Sequence, residues 1–386
     1  MSLDKVLVIK LGTSSLFDES TMDTRLSSMS QLVEMAVKLR RERGYAVCFV
    51  SSGGIAAGLQ RMHMKQRPKT VASVQAMAAI GQCKLMSIWD QLFSHFDQPV
   101  AQVLLTRTDI ADRVQYRNAR SALRALLEQQ VVPIVNENDT LTSREARFGD
   151  NDTLSAVVAA MIGAKHLFLL TDVSSLYTAN PRSDPSAEPI RLVPDVRATM
   201  GTVSTAGGGS NVGTGGMTTK LIAANLATSA GVAMYITNSN TPQVVLEALL
   251  DEENGVSPEK SSHLYTKFAP AQTNQLRDRA FWLLHSLRAT GSIEVDAGAA
   301  GALTRRDRAG LLPVGVKEVH GHFHAEECVD IVCDGKILGR CLVNYSSIEL
   351  SRIRGKQSSE IVSILGYADS EYVAFRDNLA IYPEAK

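Results

Sequence analysis

The stretch Val6-Leu7-Val8-Ile9-Lys10-Leu11-Gly12-Thr13-Ser14-Ser15 decides how this chain is read. It is apolar at every position from 6 to 11 except Lys10, as in a strand covered on both faces, and it ends in a glycine and three hydroxyl residues. A lysine inside such a strand is costly unless an anion lies nearby or its ammonium snorkels to the edge. Downstream, Leu26, Met29, Leu32, Val33, Ala36, Val37 and Leu39 recur at helical spacing. That helix closes on Arg40, Arg41 and Arg43, with Gly44 as its C-terminal cap. Ala46 to Val50 reads as a second strand, followed by Ser51-Ser52-Gly53-Gly54 and another helix-prone stretch.

The alternation continues. Helix is expected over Ser73–Phe96, strand over Val100–Leu105, helix over Gln115–Gln130 and strand over Val131–Val135. Helix over Asp152–Ile162, strand over His166–Thr171, helix over Met217–Ala230 and strand over Val232–Thr237 follow. Strands of this kind, alternating with helices, predict an α/β fold: a mostly parallel sheet sandwiched by helices. Residues 256–275, with Pro258 and Pro270, read as a linker after a first domain over 1–255. Beyond it, short strands over Ser292–Val295, Val314–Val319, Cys328–Val332 and Ile337–Val343, with an Asp334-Gly335 hairpin, predict a small β-rich domain over 276–370 and a tail over 371–386.

At 386 residues the chain has room for two or three domains of ~150 residues. Forty basic residues balance forty acidic ones, which excludes a polybasic arm or an acidic disordered tail. No run approaches ~18 consecutive apolar residues, and the first ten residues do not read as a secretory signal. Five cysteines, an odd number, do not make a disulfide framework. A cytoplasmic setting with no membrane association is the expectation.

In a parallel α/β sheet, ligands bind off the carboxyl ends of the strands. The loops there carry Lys10 with Gly12-Thr13-Ser14-Ser15, then Ser51-Ser52-Gly53-Gly54, then Asn136-Glu137-Asn138-Asp139 leading to Gly149-Asp150-Asn151-Asp152, then Thr171-Asp172. Between Gly201 and Gly216, seven of sixteen residues are glycine, and the segment runs into Met217, Thr218, Thr219 and Lys220 at a helix start. Singly, each loop serves as an ordinary connection or cap; their concentration on one edge is the signal. Bare N–H groups at a helix start suit a phosphate or carboxylate, and a lysine one turn in can reach phosphate. The Walker and dinucleotide glycine motifs are absent from the sequence, as are H-E-x-x-H, G-x-S-x-G and paired C-x-x-C. His320, His322, His324, Cys328 and Cys333 lack zinc-type spacing and read as a polar strand face.

Val8-Ile9-Lys10-Leu11-Gly12-Thr13-Ser14, Ser52-Gly53-Gly54-Ile55-Ala56-Ala57-Gly58, the Asn136 and Gly149 loops, Leu176-Tyr177-Thr178-Ala179 and Gly213-Thr214-Gly215-Gly216-Met217 with Lys220 together resemble the amino-acid-kinase family. The set is similar to its bacterial glutamate 5-kinase branch, and the C-terminal part looks like a PUA domain. The resemblance implies transfer of phosphate from ATP, with Mg²⁺, to the γ-carboxylate of L-glutamate as the first step of proline biosynthesis. It implies feedback inhibition by proline, hand-off to a glutamyl-phosphate reductase, and a homo-oligomer, a tetramer or dimer. It assigns Lys10, Lys220 and Asp152 to catalysis. Ser52, Gly53, Asn136, Asp139, Asp150 and Asn151 fall to the substrate. ATP takes Lys10, Thr171, Asp172, Thr214, Gly215, Gly216, Met217, Thr218, Thr219 and Lys220, and no protein group is a direct metal ligand. Three departures from the family pattern stand out: Ser174-Ser175 replaces a polar-glycine pair, Asn180 stands for aspartate before Pro181, and Gly54 stands where alanine is common.

The residues fit that chemistry. A glutamate side chain, with a pKa near ~4.3, is already an anionic nucleophile at neutral pH and needs no general base. Two alternatives remain at this stage. One is a kinase of the same fold for aspartate, acetylglutamate or a nucleotide. The other is an RNA-binding protein, since PUA-like domains often bind RNA. From Leu276 to Lys386, fourteen Lys plus Arg stand against fifteen Asp plus Glu, and a net charge of −1 disfavours phosphate-led RNA binding despite Arg305, Arg306 and Arg308.

Overall fold

Five strands, β1 (Val6–Leu11), β2 (Ala46–Ser51), β3 (Val100–Leu105), β4 (Val132–Glu137) and β5 (His166–Thr171), run parallel, and all but β3 are buried at every residue. The computed structural model describes the chain apart from residues 1–2, 19–20, 65, 142–149, 182, 201–215, 272–279, 281–282, 285–286, 288, 306–308, 369, 383–384 and 386. It contains two compact units, Met1–Gln275 and Leu276–Lys386. In the first, β6 (Leu192–Val193), β7 (Ala233–Asn238) and β8 (Thr266–Phe268) complete an eight-stranded sheet ordered β3-β4-β2-β1-β5-β7-β8-β6. Strand β8 is antiparallel to β7; the other described pairings in this sheet are parallel.

Side-chain alternation along β1 divides the two faces. Leu7, Ile9 and Leu11 enter a core with Leu32, Val33 and Ala36 of α1 (Leu26–Arg43) and with Phe49, Trp89 and Phe93. Lys10 therefore points to the opposite face. Helix α1 ends as expected, at Gly44 in the left-handed region (φ 71°).

Helix α2 (Gly54–Arg61) starts directly after β2 and packs on α3 (Val71–Ser94) through glycine. A Cβ on Gly81 of α3 would lie 1.7 Å from the Gly54 carbonyl oxygen, and one on Gly58 would lie 2.0 Å from the Met77 carbonyl. Backbone thus meets backbone, and the start of α2 is set by contacts that no side chain can soften. Helix α3 is long and apolar enough to cross a membrane by length and composition, with a mean hydropathy of 1.2 in its most apolar window. Its Trp89 nevertheless packs edge-on to Phe49, centroids 5.5 Å apart, inside the core.

The remaining helices of this unit include α4 (Arg113–Glu128), α5 (Asn151–Ile162), α6 (Met217–Ser229) and α7 (Val244–Glu253). The stretch 256–275, expected as a linker, instead contributes β8 to the sheet, with Phe268 buried. Its two prolines and many polar residues read as a linker, and a three-residue strand leaves little periodicity to read.

In the second unit, β9 (Gly291–Val295), β10 (Val316–Gly321), β11 (Cys328–Cys333), β12 (Lys336–Leu342) and β13 (Leu379–Ile381) form a sheet ordered β10-β9-β11-β12-β13. Asp334 and Gly335 both take positive φ, as the expected β11–β12 hairpin requires. The segment expected as a tail from 371 supplies β13, whose residues are buried. Among the described residues of this unit, three α-helices were not expected: Ala297–Thr304, capped by Asp296, Ser347–Ile353, which opens with a Ser346/Glu349 capping box, and the short Ile361–Leu365.

The glycine contact predicts the outcome of a simple swap. Gly81→Ala should lower the stability of the first unit by about 1–3 kcal/mol in urea denaturation. Gly301→Ala, mid-helix with no atom within 4 Å of the new methyl, should be neutral or stabilising by up to about 1 kcal/mol.

Candidate active site

Four loops meet where the parallel strands end. From β1, Lys10 turns to the face covered by α5 and places its ammonium 2.6 Å from Asp152 Oδ1. From the first turn of α6, Lys220 reaches Asp152 Oδ2 at 3.2 Å, and the Thr219 hydroxyl donates to the same oxygen at 2.9 Å. All three charged groups are buried: Asp152 is 0%, Lys10 8% and Lys220 7% exposed. Burial alone would push the Asp152 carboxyl up. The Lys10 and Lys220 charges, with the Thr219 hydroxyl, overcome it and hold the carboxyl well below the usual carboxylate range.

A second group lies beside the first. Asn151 Nδ2 donates to Ser52 Oγ at 2.8 Å and to Asn136 Oδ1 at 3.2 Å, tying the ends of β2 and β4 to the start of α5. Asn136 Oδ1 also accepts the Glu137 N–H at 2.8 Å. Two polar atoms of this cluster, Asn136 Nδ2 and Asn151 Oδ1, are buried without a protein partner. Buried amide groups in this condition fit a ligand that supplies one acceptor and one donor. Asp150 caps α5, accepting the Thr153 N–H at 2.7 Å. Burial, reinforced by the Asp152 charge, pushes the Asp150 carboxyl above its ordinary range. Asp139 sits half-buried in the turn after β4, on the same edge. Gly53 takes φ 98°, and a Cβ there would lie 2.8 Å from the Phe17 ring, so this position requires glycine.

On the far side of Lys10, Thr171 ends β5 and its hydroxyl donates to Asp172 Oδ1 at 3.0 Å. Gly216 opens α6 without a side-chain cap, leaving the first N–H groups of that helix to face a ligand.

Residues 5–238 match the amino acid kinase family, and residues 291–365 match the PUA domain. The chain belongs to the amino acid kinase family. It is 53% identical over 377 residues to the probable glutamate 5-kinase of Schizosaccharomyces pombe, covering 97% of this chain and 93% of that protein. It is 45% identical over 381 residues to the glutamate 5-kinase of Synechococcus elongatus, covering 98% and 100%. An uncharacterized protein of Saccharomyces cerevisiae is 43% identical, with 98% of each chain covered. The likeness is not confined to bacteria.

Of the residues expected at the kinase site, Lys10, Lys220 and Asp152 form one contact cluster, and Ser52, Asn136 and Asn151 form another. Thr171 and Asp172 lie at the end of β5, and Met217 and Thr218 in the first turn of α6. Thr219, expected against the nucleotide, turns its hydroxyl onto Asp152 and the Gly216 carbonyl. Thr214, Gly215 and Gly149, like the glycine segment 201–215, lie outside the described residues. The His/Cys group does not converge. His320 on β10 meets Glu318 at 3.4 Å and lies near Glu294, while Cys328 and Cys333 are buried thiols whose pKa burial raises.

Gln82 was missed from the sequence. It is 8% exposed, its Nε2 has no protein partner, and a Cβ on Gly54 would lie 2.9 Å from it. The glycine at position 54, noted only as a departure from the family pattern, makes room for that amide.

Two measurements follow from the charges. Asp152→Asn leaves two buried ammonium groups uncompensated and should destabilise the fold by about 3–5 kcal/mol at pH 7. The Asp152 carboxyl is depressed in the folded state, so its contribution is full above about pH 4 and is lost as pH falls through the folded value. Urea denaturation of both proteins should show the gap closing as the pH drops below about 4. Asp150 has the opposite sign: its charged form is disfavoured by folding. Asp150→Asn should therefore melt at or above the wild-type temperature at pH 7.

Proposed function

We propose that this chain is an ATP-dependent glutamate 5-kinase that forms γ-glutamyl phosphate. Support comes from relatives of that name at 45–53% identity across almost the whole chain and from the buried Lys10–Asp152–Lys220 cluster beside an unfilled amide pocket. The cluster is the observation that carries the mechanism. One carboxylate serves two ammonium groups, so this trio carries an excess positive charge that suits a polyphosphate.

In this mechanism the substrate γ-carboxylate is the nucleophile. One of its oxygens bonds to the γ-phosphorus as the bond to the β–γ bridging oxygen breaks, and ADP departs with that electron pair. No proton has to be removed, which matches a site built without a general base. Lys10 and Lys220 stabilise charge on the transferring group, and Asp152 holds both in place. Magnesium bound with the nucleotide would neutralise phosphate charge. In this reading Asp152 orients the two lysines and is not a metal ligand.

Ser52, Gly53, Asn136, Asp139, Asp150 and Asn151 form the substrate pocket in this reading. The unpartnered Asn136 Nδ2 suits a carboxylate oxygen and the unpartnered Asn151 Oδ1 an ammonium. Asp150 and Asp139 add counter-charge for the α-ammonium. Thr171, Asp172 and the segment from Thr214 to Lys220 hold ATP. Proline shares the α-groups of glutamate and lacks the γ-carboxylate, so it would compete for the same pocket and act as feedback inhibitor. The acyl phosphate would pass to a reductase for proline synthesis, and the enzyme would work in the cytoplasm as a homo-oligomer.

Incubation with ATP, Mg²⁺, glutamate and hydroxylamine should yield the γ-hydroxamate. Product with aspartate, acetylglutamate or UMP but none with glutamate would overturn the substrate assignment. Lys10→Ala and Lys220→Ala should each lower kcat by about 10²–10³ with the fold retained, as for loss of one transition-state donor. Glutamate saturation at several proline concentrations should show a rising KM at constant kcat; inhibition that glutamate cannot relieve would place proline elsewhere.

A further inference from the structure

Strand β8 lies beyond the residues that match the kinase family, yet one of its side chains reaches the loop after β5. Thr266 is fully buried. Its hydroxyl accepts the Leu176 N–H at 2.7 Å, meets Ser175 Oγ at 2.8 Å and donates to the Ile190 carbonyl at 2.6 Å. The Thr266 proton and one lone pair are thus engaged, and the Ser175 hydroxyl beside them also lies within reach of the Leu176 and Ile190 carbonyls. The near end of the same loop is fixed by β7 and the residue after it. The Ser239 N–H donates to the Thr171 carbonyl at 2.8 Å, and Asn238 Nδ2 donates to Ser174 Oγ at 3.4 Å. Between these anchors stands Asp172, whose carboxylate accepts from Thr171.

We propose that Thr266 is a positioning residue for ATP: through Ser175 and Leu176 it fixes the loop that carries Thr171 and Asp172. The inference rests on the assignment of those two residues to the nucleotide. A buried strand position is satisfied by valine, which has the same shape. Threonine there leaves an explanation to be found, and the explanation is the pair of loop groups it satisfies. A glycine at position 175 would offer no hydroxyl to meet, so the brace depends on Ser175 as well as on Thr266.

The test is steady-state kinetics on the full chain with ATP and glutamate varied separately. Thr266→Val removes the acceptor of the Leu176 N–H and the neighbour of the Ser175 hydroxyl, which keeps only the Leu176 and Ile190 carbonyls, and should raise the ATP KM about tenfold. The glutamate KM should stay within about twofold, and Thr266→Ser should restore the ATP KM. An unchanged ATP KM, or an equal rise in both KM values, overturns the proposal. Where Thr266→Val fails to fold, Ser175→Ala approaches the same contact from the loop: a rise in the ATP KM alone supports the proposal and no change overturns it. Asp172→Ala separates the two levels of inference. If it leaves the ATP KM unchanged, the nucleotide assignment fails and this proposal with it. If it moves the ATP KM while Thr266→Val does not, only the role of Thr266 fails.

Discussion

The ion cluster at Asp152 is the constraint from which the first unit's architecture follows. Two ammonium groups cannot be buried a few ångströms apart without an anion between them, and one carboxylate is the smallest solution. Lys10 comes from a central strand, Asp152 from the first turn of α5 and Lys220 from the first turn of α6. Each must arrive within a fraction of an ångström, so β1, α5 and α6 must share one face of the sheet with fixed spacing. Alternation along β1 does the first part, sending Lys10 away from Ile9 and Leu11 and toward α5. The Asp150 cap does the second, fixing where α5 begins and hence where Asp152 points. Within this trio one negative charge faces two positive ones, and the Asp150 carboxylate beside it moderates the excess.

The neighbouring pocket shows the same logic with uncharged groups. The Ser52–Asn151–Asn136 chain joins three elements, yet it leaves one amide donor and one amide acceptor without protein partners. An unpaired buried polar atom costs about 1–3 kcal/mol, and the crowded Asp150 carboxylate adds to that load. A fold optimised for stability alone would fill these positions differently. Such groups fit the pre-organised site that the proposed reaction requires.

Much of this was legible in the sequence because buried parallel strands carry a strong apolar signal and their C-terminal loops concentrate polar residues. Lys10 stood out for being a charge in an apolar run, and the Asp150-Asn151-Asp152 run for lying with the other polar loops on one edge. The parts that were not legible share a physical cause: they depend on contacts distant in the chain. Strand β8 is three residues long and is defined by pairing with β7 and β6, not by its own periodicity. Helix 297–304 is built of alanine and glycine, which carry no amphipathic pattern. Gln82 looks like any helix-surface glutamine until Gly54 is placed beneath it. The histidines at 320, 322 and 324 alternate as strand residues should, but the strand stops at Gly321, so only His320 sits in the ladder.

The loops after β2 and β5 are braced by different means. The loop at Ser52-Gly53-Gly54 rests on glycine contacts in which the backbone of α2 touches the backbone of α3. Such a contact has no rotamers and yields little. The loop after β5 is held by hydroxyl and amide hydrogen bonds from β7, β8 and the residue after β7, which can lengthen or exchange partners at modest cost. The edge of the sheet beyond β7 therefore does more than cover the core: it holds the loop after β5 through hydrogen bonds, where the loop after β2 rests on backbone contact.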